Sequence, residues 1–567
     1  EREVIAFRSP SYWDIVAVCA TAPTFEASLV AVDGARVAVG RDFDSRGQLK
    51  TNTLVHLDEP AATRLADGLQ GTDFVVRSVE SKPYRRSPAA PFMTSTLQQE
   101  ASRKLRFSSQ TTMRIAQRLY ENGHITYMRT DSTTLSETAL TAARNQVNEL
   151  YGNDFLPAAP RRYEKKVKNA QEAHEAIRPS GDRFLTPGEL AGQVSGDEFR
   201  LYELIWQRTV ASQMTDATGQ TVTVRLGATA RSGQDAEFSA SGTVIVHPGF
   251  LKVYVESSDD DADEGSRERR LPALAEGDVV RAESLQPVGH STNPPARYTE
   301  ASLVRALEER GIGRPSTFAT IMTTILDRGY VFKKGSALVP TFIAFAVIQL
   351  LERHFGDLVD YDFTAEMEED LDSIADGESA GVDWLTRFYF GTPLDGDGRP
   401  AKLGGPGAPP DWQGPASGLK AMVSDRLGEI DARDVSSFPL GDSGVVIRVG
   451  RYGTYLERDG QRANVPDGVA PDELTLDYAQ ELLDKPTGDR ALGINPASGL
   501  DVVAKDGRYG PYVTEVLPED SKAKPRTASL FKSMSLDTVT IDDALKLLTL
   551  PRILGILDGE EVVASNG

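Results

Sequence analysis

The amino-acid sequence predicts a multidomain α+β protein, and three observations carry that prediction. The chain has 567 residues, against roughly 150 for an ordinary domain. A stretch of helical periodicity interrupts two stretches in which apolar and polar residues alternate, and the last third of the chain repeats itself. With 40% hydrophobic residues, 49 Gly and 32 Pro, there is apolar material for several cores, and the chain is neither collagen-like nor generally disordered.

Each element follows from local pattern. Residues 1–9 read as the end of a helix. Trp13 to Val39 and Thr72 to Val79 alternate apolar and polar residues with Val, Phe and Thr enrichment, and Thr221 to Val255 does the same. That is the period of half-buried strands, and it predicts a β domain over residues 10–88 and 214–285. Between its halves, residues 89–213 turn helical: Ser95-Thr96-Leu97-Gln98-Gln99-Glu100 and Met113-Arg114-Ile115-Ala116-Gln117-Arg118-Leu119 carry apolar residues at three-to-four spacing. Pro88-Ala89-Ala90-Pro91 and the neighbourhood of Asp216 suit hinges, because proline ends regular structure and short irregular connections absorb rotation.

Residues 286–403 hold a further unit. A helix over Ala301 to Glu309, the turn Gly311-Ile312-Gly313 and a second helix after Arg314-Pro315-Ser316-Thr317 precede Tyr330-Val331-Phe332 and Leu338-Val339, which flank Lys333-Lys334-Gly335. This is a winged-helix pattern, in which the second helix and the basic wing meet nucleic acid; a plain helical hairpin fits it equally well. A Gly/Pro-rich linker, Gly404 to Pro410, then leads to repeats over 404–492 and 493–553. Gly450-Arg451-Tyr452-Gly453-Thr454-Tyr455 recurs as Gly507-Arg508-Tyr509-Gly510-Pro511-Tyr512, and Leu474 to Asp477 as Val539 to Asp542, each leading into an amphipathic helix. A third copy is expected to begin in 554–567 and to continue past Gly567, since Glu561 to Gly567 parallels Asp501 to Gly507. Arg451, Tyr452, Arg508 and Tyr509 either stack on and neutralise single-stranded nucleic acid, or belong to turns whose tyrosines fill small cores.

Composition narrows the function classes. The single cysteine, Cys19, excludes a disulfide framework and a CxxC zinc site and points to a reducing compartment. No apolar run reaches about 18 residues and no charged-then-apolar signal segment opens the chain, so the expected address is cytoplasmic. The net charge of −21 argues against a simple polyanion binder, yet the charge is unevenly placed. Arg103, Lys104, Arg106, Arg114, Arg118 and Arg129 face only Glu121, and Arg161, Arg162, Lys165, Lys166 and Lys168 face only Glu164, whereas acid gathers at Asp259 to Glu264 and from Asp357 to Glu378. Each run taken alone reads as a solvated face.

The chemistry concentrates in His124-Ile125-Thr126-Tyr127-Met128-Arg129-Thr130-Asp131-Ser132. A tyrosine hydroxyl is a poor nucleophile at neutral pH, so attack on a phosphodiester needs cations near the phenolate and a donor matched to the developing charge. Arg129 lies two residues from Tyr127, on the same side of an extended segment, and its fork suits a phosphate. A strand ending at a Thr/Asp/Ser helix cap explains the same residues without chemistry.

The wider motifs tip that balance. Pro91 to Gln99, Ala116-Gln117-Arg118-Leu119-Tyr120-Glu121, Ile125 to Ser132, Ala173-His174-Glu175-Ala176-Ile177-Arg178-Pro179, and Gly311 to Thr317 with Asp327-Arg328-Gly329-Tyr330 closely resemble the bacterial type IA topoisomerase family, in family order from about residue 1 to 380. The C-terminal repeats, without zinc-binding cysteines, resemble the actinobacterial branch, mycobacterial in type. The resemblance implies a toroid: a β arch, an inserted helical domain carrying the nucleophile, and a winged-helix-like domain that holds a single strand. It implies that Tyr127 forms a transient 5′-phosphotyrosine, so that negatively supercoiled DNA is relaxed and resealed without ATP. Arg129 and His174 are then catalytic, Gln117, Glu121, Thr130 and Asp131 support them, and Arg314, Ser316, Thr317, Arg328 and Arg178 contact DNA.

The resemblance also implies a Toprim domain before Glu1, carrying a catalytic glutamate and an Asp-x-Asp motif for Mg²⁺, so this chain itself is expected to supply no metal ligand and to cleave poorly alone. DNA is the implied partner, RNA polymerase a second one through the C-terminal region, and the monomer the implied state, associated with the nucleoid. Two rivals stand beside this reading. Rolling-circle tyrosine nucleases use a His-x-His metal pair, which the six histidines do not contain. A noncatalytic single-strand-binding scaffold fits the winged helix and the repeats, and predicts that Tyr127→Phe changes nothing.

Overall fold

A computed structural model gives the fold and describes residues 1–163, 175–257, 270–391, 418–451, 453–484, 490–507, 510–518, 521, 524–531, 533–536, 538–550, 552–557 and 560–564. The acidic run Asp259 to Glu264, the linker Gly404 to Pro410 and most of the second basic cluster lie outside the described residues. The backbone divides into two compact units, residues 1–344 with 350–430, and residues 345–349 with 431–567.

The first unit opens with the short helix α1 (Arg2–Ala6), then β1 (Ser11–Cys19), β2 (Phe25–Val32), β3 (Ala35–Arg36), helix α2 (Glu59–Leu69) and the long β4 (Asp73–Arg86). After a helical excursion the chain returns as β5 (Ala217–Thr229), β6 (Asp235–His247) and β7 (Val279–Ser291). Strand order is β1-β7-β4-β5-β6-β2-β3, and β1 also pairs with β2, so six strands close into a ring with no open edge between them. Alternate residues fill its interior, among them Ile15, Ala17, Leu29, Phe74, Val224, Leu226 and Phe238. Two extents differ from the sequence expectation. Strand β7 carries Arg281, Glu283 and Gln286 and buries only Val280, and the far half of β4, Glu80 to Arg86, is polar; both are strands because they are paired, as Arg86 is with Ala217, rather than because they are apolar.

The excursion comprises α3 (Thr94–Glu100), one π turn over Ala101–Leu105, α4 (Ser109–Glu121), α5 (Glu137–Tyr151), α6 (Pro187–Leu190) and α7 (Gly196–Ser212). Leu97, Ile115, Leu119, Ala143, Val147, Leu201 and Ile205 meet in one core, which is the expected three-to-four apolar period turned inward. The Ser108 hydroxyl accepts the Thr111 amide at 3.1 Å and so caps α4.

Beyond the ring come α8 (Glu300–Glu309), α9 (Phe318–Asp327), β8 (Val331–Lys334) and β9 (Ala337–Pro340). The last two form an antiparallel hairpin with Val331 opposite Pro340, so this is a winged-helix arrangement and not a bare helical hairpin. Gly311 and Gly313, with φ of 73° and 81°, make the left-handed turn between the helices. Helices α10 (Phe342–His354), α11 (Tyr361–Ala375), α12 (Gly381–Phe390) and α13 (Gly418–Arg426) follow.

The second unit shows the repeat in its backbone. Helix α14 (Ala432–Val435) precedes a four-stranded meander, β10 (Ser437–Pro439), β11 (Val446–Gly450), β12 (Gly453–Arg458) and β13 (Gln461–Asn464), and then α15 (Leu476–Asp484). A second meander, β14 (Arg490–Ile494), β15 (Asp501–Gly507), β16 (Gly510–Glu515) and β17 (Thr527–Ser529), is followed by α16 (Ile541–Leu548). Equivalent hairpins pair Gly450 with Gly453 and Gly507 with Gly510. Strands β18 (Arg552–Leu557) and β19 (Glu560–Ala564) then pair as β14 and β15 do.

Candidate active site

The segment from Ile125 to Thr130 belongs to no regular strand; it is clamped from two sides. On one side Ile125 bridges Pro179, the Thr126 amide donates to the Arg178 carbonyl at 2.9 Å, and the Thr126 hydroxyl donates to the Ala176 carbonyl at 2.7 Å. On the other side stands Thr94, the first residue of α3. Its hydroxyl donates to the Met128 carbonyl at 2.9 Å and accepts the Thr130 amide at 2.8 Å, while its own amide donates to the Thr130 carbonyl at 2.9 Å. An extended backbone sends successive side chains to opposite sides. Met128 and Thr130 therefore go inward, and Tyr127, 43% exposed, emerges on the same side as Arg129.

Arg178 holds the first clamp. It is only 8% exposed. Its guanidinium bonds the Glu175 carboxylate, at 2.7 Å for the closest pair, and donates to the carbonyls of Pro179 and Gly181 at 2.8 and 3.3 Å. Burial raises the Glu175 carboxyl pKa, but the hydrogen bonds from Arg178 and Ser136 outweigh it and hold the group below the ordinary carboxylate range. In this structure the Arg178 guanidinium bonds protein groups, Glu175 and the Pro179 and Gly181 carbonyls, beside the backbone that carries Tyr127.

Helix α4 brings the next groups. Gln117, Tyr120 and Glu121 share its exposed face at spacings of three and four. The Gln117 amide donates to the Glu121 carboxylate at 2.8 Å, and the Tyr120 ring meets the Tyr127 ring edge to face, with centroids 5.3 Å apart. Buried Thr130 accepts the Ser132 amide on its hydroxyl at 3.0 Å, and Asp131 beside it is partly exposed. His174 lies outside the described residues. Among the described residues, no three His, Cys, Asp or Glu side chains are placed to hold a metal ion.

In the winged-helix element, Arg314 spans the turn into α9. It donates to Asp372 on α11 at 2.7 Å and to the carbonyls of Gly311 and Gly313 at 3.0 and 2.8 Å. The Thr317 hydroxyl accepts the Arg314 amide at 2.8 Å, and Ser316, Thr317 and Arg328 are exposed at the two ends of α9. In the second unit Arg451 is exposed after β11; Tyr452, Arg508 and Tyr509 lie outside the described residues. Thr94 and Tyr120 are residues beside Tyr127 that the sequence alone did not single out. Thr94 sat inside a quoted motif, Pro91 to Gln99, but its bonds to Met128 and Thr130 span 34 and 36 residues and carry no local signal.

Comparisons with known proteins agree along the chain. Residues 1–386 match the family described as DNA topoisomerase, and residues 439–491 and 495–555 match the topoisomerase C-terminal repeat. The chain is 62% identical to the protein named DNA topoisomerase 1 of Streptomyces coelicolor, over 100% of this chain and 61% of that protein. It is 55% identical to the protein of that name from Mycolicibacterium smegmatis, over 100% of this chain and 64% of its relative. It thus spans less than two thirds of the length of these relatives. The full-length topoisomerase I structure from Thermotoga maritima superposes with a TM-score of 0.57 at 28% identity, covering 82% of this chain and 69% of that one.

Proposed function

Because the chain belongs to the DNA topoisomerase family, with the type IA fold, we propose that it carries the nucleophile and the strand-holding parts of an enzyme that cuts one DNA strand, lets another pass and reseals the break. The observation that supports this reading is the clamped segment, which presents Tyr127 and Arg129 on one exposed side and sets the Gln117–Tyr120–Glu121 face of α4 next to the tyrosine. The Tyr127 hydroxyl oxygen bonds to the scissile phosphorus and the P–O3′ bond breaks. The phenol proton leaves and O3′ takes up a proton, giving a 5′-phosphotyrosine and a free 3′-hydroxyl. The reverse attack by O3′ restores strand and tyrosine with one phosphodiester kept throughout, so no ATP is consumed. Arg129 offers its guanidinium to the non-bridging oxygens as charge gathers there.

Mg²⁺ is proposed to be held by residues other than the described ones, and no step here runs through it; on that reading the isolated chain cleaves poorly. Arg314, Ser316, Thr317 and Arg328 are proposed to grip phosphates without reading sequence. Nucleoid association, a monomeric state and contact of the C-terminal repeats with RNA polymerase are proposed on family resemblance. Among the described residues no helix is long and apolar enough to cross a membrane.

The test incubates a 3′-labelled single-stranded oligonucleotide and Mg²⁺ with the protein extended to the full length of its relatives. A labelled covalent adduct that withstands denaturation and vanishes in Tyr127→Phe is the expected result. An adduct that persists in Tyr127→Phe overturns the assignment, and its absence from the unsubstituted protein favours a noncatalytic single-strand-binding scaffold.

A further inference from the structure

Glu300 is a buried carboxylate that joins two elements the proposed reaction must part. It opens α8 and is 4% exposed. One oxygen accepts the amide of Ser109 at 2.7 Å. Ser109 is the first residue of α4, so a carboxylate from the winged-helix element takes one of the four amides that the start of α4 leaves unpaired and sits at the positive end of that helix. The other oxygen contacts the ammonium of Lys333 on β8. The Lys333 side chain is 42% exposed, on the outside of the wing hairpin.

The surfaces around this contact are unlike a permanent core. Helix α3 packs against α8, and α4 against α9. On α3, Gln98 is wholly buried, and neither its amide oxygen nor its amide nitrogen has a hydrogen-bond partner among the described residues. The Ser109 hydroxyl is buried in the same condition. Interfaces built to stay closed satisfy such groups. The Glu300 carboxylate bonds across this packing, and a buried carboxylate depends on its positive neighbours. These are the start of α4, the start of its own helix α8 and Lys333, and of the three only Lys333 is a solvent-exposed side chain.

We propose that Glu300 is a positioning residue that latches α4 to the winged-helix element, and that a DNA phosphate taken up by Lys333 releases the latch. The releasing step rests on the reading that this element grips a DNA strand; the latch itself does not. Helix α4 also carries Gln117, Tyr120 and Glu121 beside Tyr127, and its inner face is sewn into the helical core through Ile115, Ala116 and Leu119. Freeing its first turn thus lets the nucleophile segment move with α4 as one block.

The test places spin labels at exposed positions on the two sides, Arg114→Cys on α4 and Ser336→Cys at the wing tip, and measures their separation by pulsed dipolar spectroscopy in the whole chain. The unsubstituted background is expected to show one short distance. Glu300→Gln and, independently, Lys333→Met are each expected to add a several-fold larger population at longer distance with no DNA present. Lys333 lies on the surface, so its variant keeps the test sound if Glu300→Gln folds poorly. A deoxythymidine oligonucleotide should produce the same longer distance in the background and no further change in Lys333→Met. An unchanged distribution in both variants overturns the latch. If both variants open but the oligonucleotide has no effect despite binding, phosphate release is wrong and the latch stands. If the oligonucleotide does not bind at all, the DNA-gripping reading fails instead.

Discussion

The nucleophile segment and the C-terminal repeats both show an arginine near a tyrosine, yet the two regions treat the pair differently. Around Tyr127 the backbone is tied by side chains from distant parts of the chain, Thr94 on one side and Arg178 with Glu175 on the other, and Arg129 stands in the open. In the repeats the hairpin is closed by its own neighbours, Gly450 opposite Gly453, and the arginines on the sheet converge on acid. Arg448 and Arg462 both bond Glu457, with Arg433 at 3.6 Å, and these partners hold the Glu457 carboxyl below its ordinary range, Arg462 foremost. Chemistry at a single bond requires one geometry to be fixed, whereas holding a strand requires many loosely equivalent contacts. On the proposed function, the first region serves the former and the second the latter.

If that contrast is right, the largest effect of any substitution is at Tyr127. Tyr127→Phe removes only an oxygen from an exposed ring, so folding and single-strand affinity should stay within about twofold, while a lost nucleophile leaves no covalent route at all. Gel detection of the adduct alongside a binding titration separates the two; a parallel loss of binding would make Tyr127 a contact residue like those of the repeats.

Thr94→Val comes next. It keeps the shape and removes the hydroxyl, leaving the buried Met128 carbonyl and Thr130 amide short of a partner, at about 1–3 kcal/mol of stability. Because misplacement by about 1 Å costs roughly 10²-fold in rate, adduct formation should fall by about that factor with affinity unchanged. Single-turnover cleavage and a thermal melt check both halves, and an unchanged rate would show that the segment does not need its clamp.

How far the sequence reached follows the same line. The exposed alternation of Tyr127 and Arg129 was legible because it depends only on extended backbone, and the helices of residues 89–213 were legible because their apolar period is local. The repeat was legible because two copies can be laid over each other. Strand β7 and the outer half of β4 were not, since their conformation comes from partners far along the chain and their side chains stay in water. The bond that folds Glu175 back on Arg178, three residues later, was not legible either, because sequence spacing does not show which way the side chains turn. Glu300 gave no signal, because what defines it is burial against Ser109, 191 residues away.

Asp216 offers a pH test of ion pairing in the first unit. Asp216, at the start of β5, joins Arg85 of β4 to Arg161. Burial raises its pKa, but Arg85, Ser87 and Arg161 overcome this and hold the carboxyl below its ordinary value of 3.8. A group held lower in the fold than in the unfolded chain stabilises the fold above its ordinary value and loses that contribution as pH falls through the folded value. Asp216→Asn should therefore melt lower than the unsubstituted chain at neutral pH, by a gap that narrows below about pH 3.8. A gap that is constant with pH would mean that the ion pairs are not what the carboxylate contributes.

The smallest effect is expected in the repeats. Arg451→Ala removes one cation from a hairpin loop that has a counterpart 57 residues on, at Arg508, so binding of a long single strand should weaken by less than about tenfold and the salt dependence should flatten by about one unit of slope. Adduct formation per bound complex should not change, because the clamp bonds around Tyr127 come from Thr94, Ala176 and Arg178. The double variant Arg451→Ala/Arg508→Ala should lose close to the sum of the two free energies, as independent contacts do. A loss far larger than that sum, or any fall in cleavage at saturating DNA, would mean that the repeats act as one tuned site, and the contrast with the nucleophile segment would then fail.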